Sequence, residues 1–249
     1  MERIKQALEK ARRRGPARDL GQASPSPAAP AMPAGPTHQP ASDVLGVTYH
    51  QTRVVQLDPN HLERHRIVAF NKHLSHSWVF DLLRTQVLRT MDENGWRTLA
   101  ITSPTPEAGK TVVAINLAMS IAYQTDKTAM LVDFDLRRPK IASCLGLPAG
   151  KSFNEVLDGS AEIAEVLINP GLPRLVLLPT QRPVAHSSEV LSSRKVATLI
   201  EEMRARYDSR IVIFDLPPVL SADDTIAFLP QMDCVLMVVG YRMSTKSGI

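Results

Sequence analysis

The residues richest in chemistry stand together: Thr102-Ser103-Pro104-Thr105-Pro106-Glu107-Ala108-Gly109-Lys110-Thr111. The apolar run Thr98-Leu99-Ala100-Ile101 before them reads as a strand, and Val112 to Ala118 after them reads as a helix. A Gly-Lys-Thr at a strand-to-helix turn is a phosphate cradle. Pro106, Glu107, Ala108, Gly109, Lys110, Thr111 and Val112 would wrap the phosphates, with backbone N–H groups and the helix N-terminus facing them. Lys110 would reach the β/γ oxygens, and the Thr111 hydroxyl would bind Mg²⁺. Two acidic strand ends follow, Met130-Leu131-Val132-Asp133-Phe134-Asp135 and Ile211-Val212-Ile213-Phe214-Asp215. Each aspartate alone could simply cap a helix, but three such elements at the C-ends of buried strands point to binding of ATP with Mg²⁺. Lys110 would then stabilise charge on a transferring phosphoryl, and Asp133 and Asp215 would hold the Mg²⁺ directly or through water. Asp133 or Asp135 would accept the proton of an attacking hydroxyl.

These residues need a scaffold that brings three strand ends side by side. From Trp96 onward the chain alternates strand and helix. Strands are predicted near 97–102, 129–134, 174–179, 210–215 and 233–239. They are continuous apolar runs, as in a parallel sheet covered on both faces. Helices are predicted near 110–124, 189–206 and 222–229, with shorter ones at 138–144 and 152–167. Another, at about 75–93, would turn Trp78, Leu82, Leu83, Val87 and Leu88 inward. The fold class is therefore α/β, a doubly wound, mostly parallel sheet of the P-loop NTPase kind. Such a fold ordinarily continues with another helix and strand after 233–239, so the chain reads as cut short at its C-terminus.

Upstream lie a basic amphipathic helix at 1–14, ended by Gly15-Pro16, and a disordered linker at 15–43. Seven of the chain's 19 prolines fall between Pro16 and Pro40, a composition that buries too little apolar surface to order itself. Residues 44–72 read as irregular with a strand at 53–57, and 44–249 form the P-loop domain. The formal charge of +4 belongs to residues 1–20, with seven basic and three acidic residues; the remainder is balanced. The neutral body gives no reason to expect nucleic acid, and partner docking is the first reading of the basic arm. Two cysteines, Cys144 and Cys234, fit neither a metal site nor a disulfide framework and suit a reducing, cytoplasmic compartment. No stretch reaches the ~20 apolar residues of a membrane span. His61 and His65 are four apart, but the order His-Leu-Glu-Arg-His is not that of a zinc protease, and a solvent-exposed pair is expected.

Together, Leu82-Leu83-Arg84-Thr85-Gln86, Pro106 to Thr111, Asp133-Phe134-Asp135-Leu136-Arg137-Arg138-Pro139, Ser188-Glu189-Val190-Leu191 and Asp215-Leu216-Pro217-Pro218 resemble the bacterial tyrosine autokinases of capsule and exopolysaccharide biosynthesis. The run from Asp133 to Pro139 corresponds to their second Walker-type motif. The resemblance implies an ATP- and Mg²⁺-dependent tyrosine-protein kinase. It also implies a membrane polysaccharide co-polymerase as activating partner, placing the chain peripherally at the inner membrane. The related MinD/ParA ATPases carry an extra lysine near Pro104 or Thr105, absent here; a non-kinase ATPase of that class, or a degenerate ATP-sensing regulator, is the alternative. Three departures stand out. Glu107 occupies a position that the family fills with glycine, which permits positive φ and adds no charge. Of the family's ring-building Glu-x-x-Arg-x-x-Arg helix, the matching positions are Trp78, Asp81 and Arg84, so a homo-oligomer stays open while ring assembly is in doubt. Tyr49, Tyr123, Tyr207 and Tyr241 are dispersed and form no acceptor cluster, so if these 249 residues are the whole protein, feeble or absent autophosphorylation is expected while ATP binding persists.

Overall fold

The computed structural model describes residues 52–123, 126–205, 209–221 and 223–241. The expected basic helix and the linker lie outside them. In chain order the elements are β1 (Arg53–Val54), α1 (Pro59–Arg64), α2 (Ser77–Asn94), β2 (Thr98–Thr102), α3 (Lys110–Ala122), β3 (Thr128–Asp133), α4 (Ile141–Leu145) and α5 (Phe153–Asp158). There follow α6 (Ile163–Val166), β4 (Ile168–Asn169), β5 (Leu175–Leu178), α7 (Ser187–Leu191), α8 (Arg194–Ala205), β6 (Arg210–Asp215), α9 (Asp223–Phe228) and β7 (Cys234–Met237). β2, β3, β5 and β6 are buried at every residue, as their unbroken apolar runs require.

The strands form one sheet in the order β1-β4-β5-β3-β6-β2-β7, parallel except for the β4–β5 pair. β6 lies between β3 and β2, and the register sets Asp133 beside Asp215 and Ile101 beside Asp215. The ends of the three site-bearing strands are thus immediate neighbours. This doubly wound, mostly parallel sheet is the expected fold class.

Each face of the sheet carries its own core. One packs α2 and α3 on the sheet through residues such as Met91, Ile115, Met119 and Ile121. The other is built on Phe134, Phe153, Phe214 and Phe228. Phe134 sits at its centre, with ring centroids 4.9 Å from Phe153, 5.1 Å from Phe214 and 5.2 Å from Phe228. Two of these rings immediately adjoin the acidic positions, Phe134 between Asp133 and Asp135 and Phe214 before Asp215. The aromatic layer therefore anchors the backbone that carries the carboxylates.

Several local expectations are corrected. The helix expected at 189–206 is two, because the Ser193 hydroxyl accepts the Val196 N–H at 3.3 Å and restarts the chain as α8. The segment 152–167 is also two helices, parted at Gly159, whose φ of 83° ends α5. The short helix expected at 138–144 starts only at Ile141. The irregular stretch before α2 contains α1, started by Pro59 and capped by Asp58, whose carboxylate accepts the Asn60 N–H at 2.9 Å. Of the residues expected on the inner face of α2, Leu83, Val87 and Leu88 pack against the core, joined by Ser77 and Met91, whereas Trp78 and Leu82 are 61% and 53% exposed. At 100° per residue these two fall more than a quarter turn from the line through Ser77, Arg84, Leu88 and Met91.

Asn116 joins α3 to the segment before α2. Its Oδ1 accepts the N–H groups of Val68 (2.7 Å) and Ala69 (2.8 Å), and its Nδ2 donates to Arg66 O (3.0 Å) and Val112 O (2.8 Å). Every hydrogen-bonding position of this fully buried amide is filled. Asn116→Ala should lower stability by about 1–3 kcal/mol for each backbone group left unsatisfied, read as a reduced midpoint in urea unfolding.

Candidate active site

The site begins with the turn between β2 and α3. Gly109 has φ 91° and stands at the head of α3, where no side chain caps the first N–H groups. Those donors, with the helix dipole behind them, form an anion-binding terminus. Glu107 has φ 64°, a left-handed conformation that the loop demands and that favours glycine. Its exposed side chain lines the mouth of a cavity of about 650 Å³. Pro106, Gly109, Lys110, Thr111 and Val112 line the same cavity; Ala108, expected among the phosphate-binding residues, does not.

Lys110 is buried, and its ammonium donates to Asp135 Oδ2 at 2.8 Å and to Asp215 Oδ1 at 3.4 Å. Burial alone would lower its pKa, but the carboxylates of Asp215 and Asp135 outweigh that and raise it above the ordinary lysine value. The Thr111 hydroxyl donates to Asp215 Oδ2 at 2.6 Å. Lys110, Thr111, Asp135 and Asp215 thus form one hydrogen-bonded cluster drawn from three segments of the sequence. Asp215 is fully buried, and burial raises its carboxyl pKa against the opposing pull of Lys110 and Thr111.

Asp133 stands apart. Its Oδ2 accepts the N–H groups of Lys140 (3.1 Å) and Ile141 (2.9 Å), where α4 begins. The capping role that any single aspartate after a strand could have is real here. Its Oδ1 is buried with no hydrogen-bond partner. Burial, then the charge of Asp215, pushes its pKa well above the ordinary carboxylate range. Asp133 and Asp215 lie behind the cavity wall rather than on it, whereas Asp135 faces the cavity.

The donors suit a hard cation. Thr111 and Asp215 offer oxygen ligands, and the unpartnered Oδ1 of Asp133 is a buried acceptor lacking a donor. Among the described residues no three metal-ligating side chains make a closed cage. Mg²⁺ held by one or two protein oxygens, phosphates and waters needs none.

Sequence reasoning did not single out Lys140, Cys144, Pro217, Pro218 and Ser221 as walls of the cavity. Pro217 and Pro218 belong to the run after Asp215, so their position was available as a signal. The Cys144 thiol is pushed up by burial and then by Asp215, which keeps it protonated. His61 stacks on His65 at 4.2 Å and has Nε2 2.9 Å from Ser143 O, so the pair braces α1 against α4. Arg84, the one residue of α2 to fit the ring-building pattern, is engaged within the chain. It binds Asp81 at 2.9 Å and Ser120 O at 3.1 Å.

A parallel doubly wound sheet with a Gly-Lys-Thr loop and aspartates on the two adjoining strand ends defines a P-loop nucleotide-binding protein. Residues 97–249 match the family described as an AAA domain. The tyrosine-protein kinase Wzc of Salmonella typhimurium is 31% identical over 167 residues, 67% of this chain and 23% of that protein. The tyrosine-protein kinase Ptk of Acinetobacter johnsonii is 32% identical over 143 residues, 57% of this chain and 19% of that protein. The kinase domain of the Escherichia coli tyrosine kinase Etk superposes with a TM-score of 0.67 at 25% identity, covering 81% of each chain. The chain belongs to this AAA-domain family, and bacterial tyrosine-protein kinases are among the proteins it is similar to. It matches about a fifth of the length of these curated relatives.

Two outcomes follow from the geometry. Glu107→Gly removes both the strained φ, worth roughly 1–2 kcal/mol, and a carboxylate at the cavity mouth. It should tighten nucleotide binding several-fold in calorimetry, and unchanged or weaker binding would show that the side chain turns away from the phosphates. Asp133 has a folded pKa above its unfolded value of about 3.9, so the folded state favours the protonated acid. Its favourable contribution is complete below about pH 4 and is lost as pH rises through the folded pKa. Asp133→Asn, which keeps an acceptor for α4, should therefore gain stability over wild type as pH rises from 4 to 8 in magnesium-free buffer. Denaturant titrations at several pH values measure this difference, and a pH-independent one would count against it.

Proposed function

We propose that this chain binds ATP with Mg²⁺ in the 650 Å³ cavity and transfers the γ-phosphoryl group to tyrosine, acting in exopolysaccharide or capsule biosynthesis or its regulation. The observation that carries the reading is the cluster of Lys110, Thr111, Asp135 and Asp215 behind the uncapped start of α3. Lys110, whose ammonium has three donors, would reach the β/γ-phosphate oxygens while Asp135 still orients it, and the α3 N–H groups would hold the phosphates in place. Thr111 and Asp215 would hold Mg²⁺, with Asp133 contributing directly or through water, and the bound ion would supply charge neutralisation for the transferring group. Asp135 faces the cavity and is the better placed of the two candidates to accept the tyrosine proton. The activating partner in this reading is a membrane polysaccharide co-polymerase, which would hold the chain at the cytoplasmic side of the inner membrane. Among the described residues no helix is long and apolar enough to cross a membrane.

The second reading, an ATP-binding regulator or non-kinase ATPase, is favoured by Glu107 at the mouth of the phosphate loop. Lys110→Ala should weaken MgATP binding by at least about tenfold, the size expected for losing one charge-assisted contact, while the protein stays folded. Equal affinity in calorimetry would sink the nucleotide site. Incubation of the chain with γ-labelled ATP, Mg²⁺ and a tyrosine-rich peptide, then phosphoamino-acid analysis, separates the two readings. Phosphotyrosine lost in Lys110→Ala supports the kinase; binding without phosphotyrosine supports the regulator.

A further inference from the structure

Arg137 lies two residues beyond Asp135, in the loop joining β3 to α4, and it does not point free into solvent. Its Nη2 donates to Asp224 Oδ1 at 2.6 Å and to Asp223 Oδ1 at 2.8 Å, and its Nε lies 3.1 Å from Asp224 Oδ2. Asp224, at the start of α9, is fully buried. The Ser187 hydroxyl of α7 donates to its Oδ2 at 2.5 Å and also lies 3.2 Å from Arg137 Nε. Burial would raise the Asp224 carboxyl, yet the hydrogen bonds from Arg137 and Ser187 hold it below the ordinary carboxylate value. The segment between Asp135 and Arg137 has little slack. Arg138 N–H donates to Asp135 Oδ1 at 3.0 Å, and Val184 N–H donates to Leu136 O at 2.8 Å.

We propose that the Arg137–Asp224–Ser187 cluster is a positioning device for the active site, holding the loop after β3 so that the Asp135 carboxylate stays on Lys110. The inference rests on the nucleotide-binding reading given above. Asp224 and Ser187 do not line the cavity; they act through Arg137 and the loop. The physical lock is the burial of Asp224. Moving the loop away would strip the guanidinium from a carboxylate that has no water to replace it, a costly state. The planar fork of Arg137 meets Asp224 through two nitrogens, a geometry that a lysine ammonium cannot reproduce.

The test is a double-mutant cycle on the full chain, read as MgATP affinity by calorimetry with the thermal midpoint measured alongside. Asp224→Asn removes the charge and keeps the shape. It should weaken MgATP binding by about 10- to 100-fold, the range typical when a supporting residue behind a liganding one is lost. In an Asp135→Asn chain, Asp224→Asn should add little further loss, because the carboxylate it positions is already gone. Arg137→Lys should reproduce the affinity loss while keeping a midpoint close to wild type. Should Asp224→Asn fail to fold, Ser187→Ala, which removes a single hydrogen bond, should still weaken binding severalfold. If the wild type binds MgATP and Asp224→Asn or Ser187→Ala binds equally well, the inference falls alone. So it does if the Asp224 and Asp135 effects are additive. A wild-type chain that binds no MgATP overturns the functional reading, and this inference with it.

Discussion

A buried ammonium between two buried carboxylates is the constraint around which the domain is arranged. A buried ammonium left without a partner is costly, and Asp135 and Asp215 supply the carboxylate oxygens that receive the hydrogen bonds of Lys110. These three groups come from positions about 25 and 80 residues apart in sequence. Only a sheet that seats β6 between β2 and β3 can bring them together. The apolar strands supply the driving force for that sheet; the ion cluster depends on its order and register.

Beneath the charges lies an aromatic layer. Phe134 and Phe214 carry the neighbouring aspartates on their own backbone, and Phe153 and Phe228 close around them. Ring contacts of this kind contribute both area and preferred geometry, so they limit the movement of the strand ends. The loop after β3 is held by polar contacts to α7 and α9 instead. The phosphate loop draws its rigidity from the backbone. Val219 N–H donates to Ser103 O and Leu216 N–H to Ile101 O, which ties it to the segment after β6.

On the outer surface of α2, Asp81 organises its neighbourhood. It draws Lys72, Arg84 and Ser120 into one network, and these partners hold its carboxyl pKa low despite the opposing effect of burial. Arg84 is thereby committed to α3, while Trp78, Val79 and Leu82 remain exposed. The positions of Asp81 and Arg84 are legible in the sequence, but the partners of Arg84 are not, since Ser120 lies 36 residues away.

Local order was written in the sequence wherever it depended on short-range chemistry. The unbroken apolar runs specified the buried strands, and Gly109 with Lys110 and Thr111 specified the strand-to-helix phosphate turn. Glycine's absence at 107 foretold a strained residue, found at φ 64°. Asp58-Pro59 also announced a helix start, although the stretch reads as irregular when only apolar periodicity is followed. What the sequence could not convey was phase and partnership. The inner face of α2 turned on packing against α3, so an apolar stripe that included Trp78 and Leu82 misled. Arg137 was only one residue of the run from Asp133 to Pro139 until α9 brought Asp224 to it. Asp133 and Asp215 read as holders of Mg²⁺, and Asp133 or Asp135 as proton acceptor, and the tertiary structure gave each a different setting: Asp133 caps α4, Asp135 faces the cavity and Asp215 binds Thr111. Residue type fixes what a group can do, whereas burial and the neighbours supplied by distant segments fix its charge and its partner. Those depend on chain crossings that no local pattern encodes.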